Sequence, residues 1–242
     1  MPPAAFIAAA TCSFSTEPAT GNLVITFLTP PTTAPGDTLL IAAVSNDATD
    51  GAVDASKLPS GWSIVATHTT ITAQIATLLR RLATDTEPPS HAITFAGLAV
   101  AGGALLVYRG LDRGAAVVDG NIADVNVSTA FACPSLTLTT YSDLYLGIAW
   151  VNGATVAVTA PAGTTKRLDV AQSETPIGAS CELAIFELLA EAVGSTGTQT
   201  AHIVAPHIGI AAAVALRALP PLPAPAITPD IPGAIGFVTV GV

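Results

Sequence analysis

Short runs in which apolar and polar residues alternate recur along this chain, each bounded by Gly, Pro, Asn or Asp. Asn22–Leu28 (NLVITFL) alternates and runs into the turn-rich TPPTTAPGD. That period of two predicts a half-buried strand followed by a turn. Asp37–Ser45 (DTLLIAAVS) is almost continuously apolar, which predicts a strand covered on both faces. Further strands are predicted at Trp62–Thr67, His91–Phe95, Ala104–Arg109, Ser135–Thr140, Asp143–Val151, Thr155–Thr159, Lys166–Val170, Thr198–Val204 and Ile208–Arg217. Many short strands with turn signals between them predict an all-β, antiparallel sandwich or jelly-roll-like body. Two segments resist. Gln74–Ala83 (QIATLLRRLA) places Ile75, Leu78, Leu79 and Leu82 at helical spacing, and Glu182–Val193 (ELAIFELLAEAV) is rich in helix formers. Propensity alone favours helix for both.

The alternating runs fall into two series. GDTLLIAAVSN (Gly36–Asn46) matches SDLYLGIAWVN (Ser142–Asn152), with Asp37, Leu40, Ala43 and Asn46 over Asp143, Leu146, Ala149 and Asn152. Pro59-Ser60-Gly61 matches Pro161-Ala162-Gly163, and IATLLRRLATD matches LAIFELLAEAV. His91-Ala92-Ile93 matches His202-Ile203-Val204, and ALLVYRGL (Ala104–Leu111) matches AAVALRAL (Ala212–Leu219), with Arg109 over Arg217. Five landmarks in one order at nearly one offset predict a body, residues 1–219, built from two duplicated units. Unit one spans about 4–111 and unit two about 133–219. The polar stretch 112–132 reads as a linker, and a pseudo-two-fold relates the units.

After Leu219 the pattern changes to PPLPAPAITPDIPGAIGFVTVGV, with six prolines in Pro220–Pro232. Proline removes the amide donor and fixes φ, so 220–242 is predicted to be an extended arm. Its end is apolar, unlike a solvated tail. Pro220, Pro221, Pro223 and Pro225 would hold it out, and Ile231, Ile235, Phe237, Val238 and Val240 would dock on a neighbouring subunit or on the body.

Composition narrows the function. Half of the 242 residues are hydrophobic and only 10% are charged, well below the usual quarter. Such a surface suits a chain that sits against neighbours. Net charge is −9, with eight Lys plus Arg in no cluster. Nucleic acid and polybasic membrane contact both need clustered cations, so neither is expected as a partner. No apolar stretch reaches 18 residues, and membrane insertion is not expected. The start, MPPAAFIAAATCSF, lacks a positive n-region and reads as a first strand rather than a signal peptide. Cys12, Cys133 and Cys181 lack metal-ligand spacing and read as small buried hydrophobes.

Candidate chemistry is sparse. No nucleophile elbow, P-loop or dinucleotide fingerprint occurs, and no cofactor or catalytic residue is expected. His202 and His207 are five apart, a poor spacing for a shared metal. The loop 46–54 (NDATDGAVD) offers Asp47, Asp50 and Asp54 as weak calcium ligands, against the plainer reading of a solvated turn. Trp62 follows a Pro-x-Gly turn and is a possible glycan contact, although it reads first as core.

The succession GDTLLIAAV (Gly36–Val44), P-x-G-W (Pro59–Trp62) and a YRGLD strand end (Tyr108–Asp112) resembles a β-sandwich module of tailed-bacteriophage virion proteins, also found in large bacterial surface proteins. The resemblance covers about residues 4–219. It implies that Gln74–Ala83 and Glu182–Val193 are strands despite their propensity. It implies a non-enzymatic virion component: a capsid decoration, head-fibre, minor capsid or minor tail protein. Its partners would be other virion proteins and further copies of itself. The alternative is a carbohydrate- or receptor-binding module of a phage fibre or bacterial surface protein, with a host glycan as ligand. The expected location is the virion, after synthesis in the host cytoplasm.

Overall fold

The computed structural model describes residues 4–16, 22–45, 51–70, 74–96, 100–114, 116–140, 143–152, 156–174, 179–189 and 193–219. The first half contains β1 (Ala5–Thr16), β2 (Leu23–Leu28), β3 (Thr38–Ser45), β4 (Ser63–Thr69), β5 (Ile75–Leu82), β6 (Ser90–Phe95) and β7 (Val100–Arg109). The second contains β8 (Val117–Cys133), β9 (Thr137–Leu138), β10 (Leu144–Asn152), β11 (Thr165–Glu174), β12 (Ala179–Leu189), β13 (Gly194–Ser195) and β14 (Gln199–Leu216). Every strand pairing among the described residues is antiparallel. The fold is therefore all-β, as the alternation predicts.

Two five-stranded sheets carry the fold, in the orders β1-β7-β3-β5-β4 and β8-β14-β10-β12-β11. Placing β1, β3, β4, β5 and β7 on β8, β10, β11, β12 and β14 makes the two orders identical. The registers agree as well. Thr38 faces both Tyr108 and Leu82, and Leu144 faces both Leu216 and Leu189. A bulge interrupts β4 between Ile64 and Ala66, and another interrupts β11 between Lys166 and Leu168. Ser63 pairs with Arg80 below the first bulge, as Thr165 pairs with Glu187 below the second.

The two turns matched in sequence also match in structure. Trp62 N donates to Pro59 O at 3.1 Å and Thr164 N to Pro161 O at 3.2 Å. Gly61 and Gly163 take φ of 85° and 80°, the left-handed region that the third position of such a turn requires. Asp37 and Asp143 are both buried, and each accepts from the N–H three residues before it, Ala34 at 2.8 Å and Thr140 at 3.0 Å.

Packing explains why β3 and β10 are apolar throughout. Leu40, Ala42 and Val44 meet Leu146, Ile148 and Trp150 in a central layer between the two sheets. The other face of β3, with Leu39, Ile41 and Ala43, is covered by Leu23, Ile25 and Phe27 of β2 and by Ile93 and Phe95 of β6. The other face of β10, with Tyr145, Ala149 and Val151, is covered by Phe131, Cys133, Leu136, Leu138, Ala201 and Ile203. Four layers result, and both central sheets lose water on both faces. Each such Leu, Ile or Phe contributes about 1.5–3 kcal/mol of burial. The sheets are stacked so that β1 lies against β11 and β4 against β8, the arrangement a two-fold exchange of the halves requires.

Several expectations are corrected. The stretch 112–132 is not a surface linker, because β8 occupies most of it and pairs with β14 along the edge of the second sheet. An edge strand has one open side, so its polar residues stay wet, and among its described large side chains only Ile122 and Phe131 are buried. By contrast, Gln74–Ala83 and Glu182–Val193 contribute the strands β5 and β12, as the resemblance implies, because each is flanked by strands on both sides and sheet packing overrides helix propensity. Their match is also shifted by one: the registers place Leu82 with Leu189, and so Ile75 with Glu182. Of the expected strand Thr155–Thr159, Thr155 lies outside the described residues and 156–159 form only an isolated bridge from Thr159 to His202. Thr198–Val204 and Ile208–Arg217 join into the single strand β14. The matched histidines differ too: His91 is buried and His202 exposed.

Candidate functional site

Trp62 does not present its ring to solvent. It is 7% exposed and packs in the layer between β3 and β2. Its indole N–H donates to His91 Nδ1 at 3.2 Å, with the rings edge-on at 5.1 Å. An indole can only donate, so Nδ1 accepts and the ring proton sits on Nε2. That nitrogen lies 3.1 Å from Glu87. Glu87 also takes Arg81 Nε at 2.9 Å and Thr84 N at 2.8 Å, and Arg81 returns to Ser60 O in the Pro-x-Gly turn. Burial lowers the His91 pKa against the pull of Glu87. Burial acts to raise Glu87, but the Thr84 N–H and Arg81 outweigh it and hold the carboxyl below its ordinary value. Trp62, His91, Glu87 and Arg81 line up behind the turn, and the Trp62 ring is packed away from solvent.

Of the calcium candidates, Asp47 and Asp50 lie outside the described residues. Asp54 caps the 3-10 turn Ala55–Lys57, accepting from Ser56 N at 3.0 Å and Ser56 Oγ at 2.6 Å, with Lys57 at 3.1 Å. The Ser56 hydroxyl, then Lys57, holds its carboxyl below the ordinary value. Among the described residues, no group of three or more His, Cys, Asp or Glu is placed to hold a metal. The buried thiols of Cys133 and Cys181 both have raised pKa values from desolvation, Cys133 to about 12. The side chain of Cys12 lies outside the described residues. So do all nine arm positions: Pro220, Pro221, Pro223, Pro225, Ile231, Ile235, Phe237, Val238 and Val240.

An opening with mixed chemistry lies where β1 packs against β11. It measures about 400 Å³ and is lined by Ala4, Phe6, Thr165, Arg167, Glu187 and Leu189. Glu187 is 7% exposed, pairs with Arg167, and accepts from Tyr108 Oη at 3.4 Å. The Arg167 guanidinium stands 5.2 Å over the Phe6 ring, which meets Tyr108 edge-on at 5.7 Å. Desolvation raises the Tyr108 phenol well above its ordinary pKa, and Glu187 holds Arg167 cationic. Residues of both sheets thus converge on one buried carboxylate. The corresponding opening at the opposite edge, about 330 Å³, is lined by Ser63, Val65, Arg80, Val117 and Asp119. There Arg80 stands where Glu187 stands, and its guanidinium donates to Arg113 O at 2.8 Å.

A second carboxyl group was not singled out by the sequence. Glu182 on β12 is 4% exposed and lies near Asp169 on β11, which also pairs with Lys166. Burial first, then Asp169, pushes the Glu182 pKa up to about 7. Lys166 also donates to Val158 O at 2.8 Å, so the trio ties β11 to the loop before it.

The matched arginines play unequal parts. Arg109 grips buried Asp37 with two bonds of 2.8 Å, whereas Arg217 donates to the Thr139 hydroxyl at 3.0 Å. No protein-family model, no curated protein and no solved structure matches this chain, so its fold and its sites stand on their own geometry.

Proposed function

We propose that this chain is a non-enzymatic structural component of a tailed-phage virion, a decoration, minor capsid or minor tail protein that works through contacts with other virion proteins and with copies of itself. The observation that supports this reading is where its uncharged surface lies. β2 alternates Leu23, Ile25 and Phe27 inward with Val24, Thr26 and Leu28 outward, and Val24 and Leu28 are 51% and 64% exposed. β4, at the open edge of the first sheet, carries no residue with a fixed charge. A four-layer block with wide uncharged faces suits cementing neighbours by apolar burial and edge pairing. The resemblance of Gly36–Val44, Pro59–Trp62 and Tyr108–Asp112 to virion modules supplies the setting.

The test is a particle-incorporation assay with residues 220–242 deleted. Loss of the chain from purified particles is expected, and wild-type incorporation would remove the arm from the account. A second reading, a carbohydrate- or receptor-binding module, is favoured only by the opening beside Phe6, where an aromatic ring, a guanidinium and a carboxylate meet. A glycan array that responds to the wild-type chain and not to Phe6→Ala would establish it in place of the first.

A further inference from the structure

The four outer strands of the two sheets are defended unequally. An open edge presents unpaired N–H and C=O groups, and proteins block such edges with charge, bulges or cover. β11 carries Lys166, Arg167, Asp169 and Glu174, and β8 carries Asp119 and Asp124. β1 is broken by two register shifts and lies between β2 and β11. β4 (SIVATHT) has one bulge and one titratable residue, His68, which bonds Asp124 of β8 at 2.8 Å. Its exposed Ile64 is 39% accessible. Beside it opens the 330 Å³ pocket lined by Ser63, Val65 and Arg80.

The sequence contains one segment that complements this edge. Residues 233–242 (GAIGFVTVGV) are uncharged, rich in valine and free of proline. They follow a spacer, residues 220–232, that includes six prolines. The chain leaves the described body at Leu219, whose N–H bonds Gly110 O at 2.8 Å and which shares a pocket with Gly36, just before β3. From β3 to β4 is two strand spacings, about 10 Å. A proline-rich spacer of that length spans about 40 Å when extended. A spacer of that length is several times longer than the distance to the edge of its own sheet and long enough to reach the edge of a neighbour.

We propose that the C-terminal segment of one copy adds as a strand to β4 of a second copy, with Phe237 entering the pocket against Arg80. Main-chain pairing at the edge supplies affinity, and the aromatic ring on the guanidinium supplies register. This inference rests on the assembly reading above and names its docking surface.

The test is light scattering on the full chain, separated by size exclusion over a range of concentrations. The wild type should form concentration-dependent oligomers. Ile64→Lys, which blocks the edge, and Phe237→Asp, which disables the arm, should each be monomeric with an unchanged far-ultraviolet β signal. An equimolar mixture of the two should recover a dimer, because one supplies an intact arm and the other an intact edge. Oligomers that survive Ile64→Lys would overturn the choice of β4. A mixture that stays monomeric, or a wild type that is monomeric throughout, would overturn exchange between copies while leaving the deletion assay on particles to decide the assembly reading.

Discussion

Replacing Glu182 with Gln should make the protein more stable at alkaline pH and leave it nearly unchanged at pH 5. Glu182 is 4% exposed, sits opposite Ala171 with Asp169 two residues away on the same strand, and has its pKa pushed from 4.5 to about 7, chiefly by burial. Its folded-state pKa is raised, so between pH 4.5 and 7 the folded chain holds a proton that the unfolded chain has released. Stability from this group is therefore full below about pH 4.5 and falls as pH rises towards 7. A tenfold change in an acid's dissociation constant corresponds to about 1.4 kcal/mol, so the ceiling above pH 8 is about 3 kcal/mol. A Gln side chain keeps a donor towards Asp169 but cannot ionise. Urea unfolding of both proteins at pH 5 and pH 8.5 measures the difference directly. Carboxylates such as Glu87, whose folded pKa is lowered, lose stability in the opposite direction but cancel in the comparison. Equal stability differences at both pH values, or a variant weaker than wild type at pH 8.5, would refute the burial-raised pKa of Glu182.

Other expectations follow from packing and charge. At Gly147 a Cβ would stand 2.1 Å from the Phe186 ring, so Gly147→Ala should lower stability by about 1–3 kcal/mol through overpacking, read as a lower urea midpoint. Arg109→Ala strands the buried Asp37 carboxylate, with only turn amides to bond it. It should cost about 2 kcal/mol, reduced from the fully buried case because Arg109 is half exposed. Arg217→Ala removes one exposed hydroxyl contact and should cost less than about 1 kcal/mol by the same denaturation. Trp62→Phe leaves His91 Nδ1 without its donor and should cost about 1–2 kcal/mol, with the His91 ring resonances shifted in NMR spectra.

Much of the body was legible because burial on two faces leaves a plain signature. The continuous apolar runs of β3 and β10 mark the inner strands of both sheets, and the aligned Asp37 and Asp143 sit in the same buried turn. The Pro-x-Gly pairs were legible because only glycine enters that backbone region cheaply. β8 was not, because an edge strand shows a weak alternation that reads as a polar linker. The shift of one residue between β5 and β12 escaped for a related reason. A strand that is apolar on both faces has no phase, and Ile41 opposite Leu79 corresponds to Gly147 opposite Phe186. In the second pair the Phe186 ring lies over the glycine and both identities change, so side-chain matching misleads.

The polar sites were hidden for a different reason. Glu182 meets Asp169, and Glu187 meets Arg167 and Tyr108, only through cross-strand register and a bulge at Arg167. Nothing in local spacing announces either meeting. The sequence draws attention to Trp62 and to the Asp47–Asp54 loop instead, and of these Trp62 is turned inward and Asp54 is occupied in a cap.

The most direct measurement of the central claim is a reconstruction of purified particles from the phage or lysate that contains this chain, combined with quantitative mass spectrometry. The account predicts the chain in fixed stoichiometry with capsid or tail protein, visible as two stacked five-stranded sheets at a repeated position, with density for residues 220–242 on a neighbouring copy. A chain absent from washed particles and recovered only free in solution would contradict it.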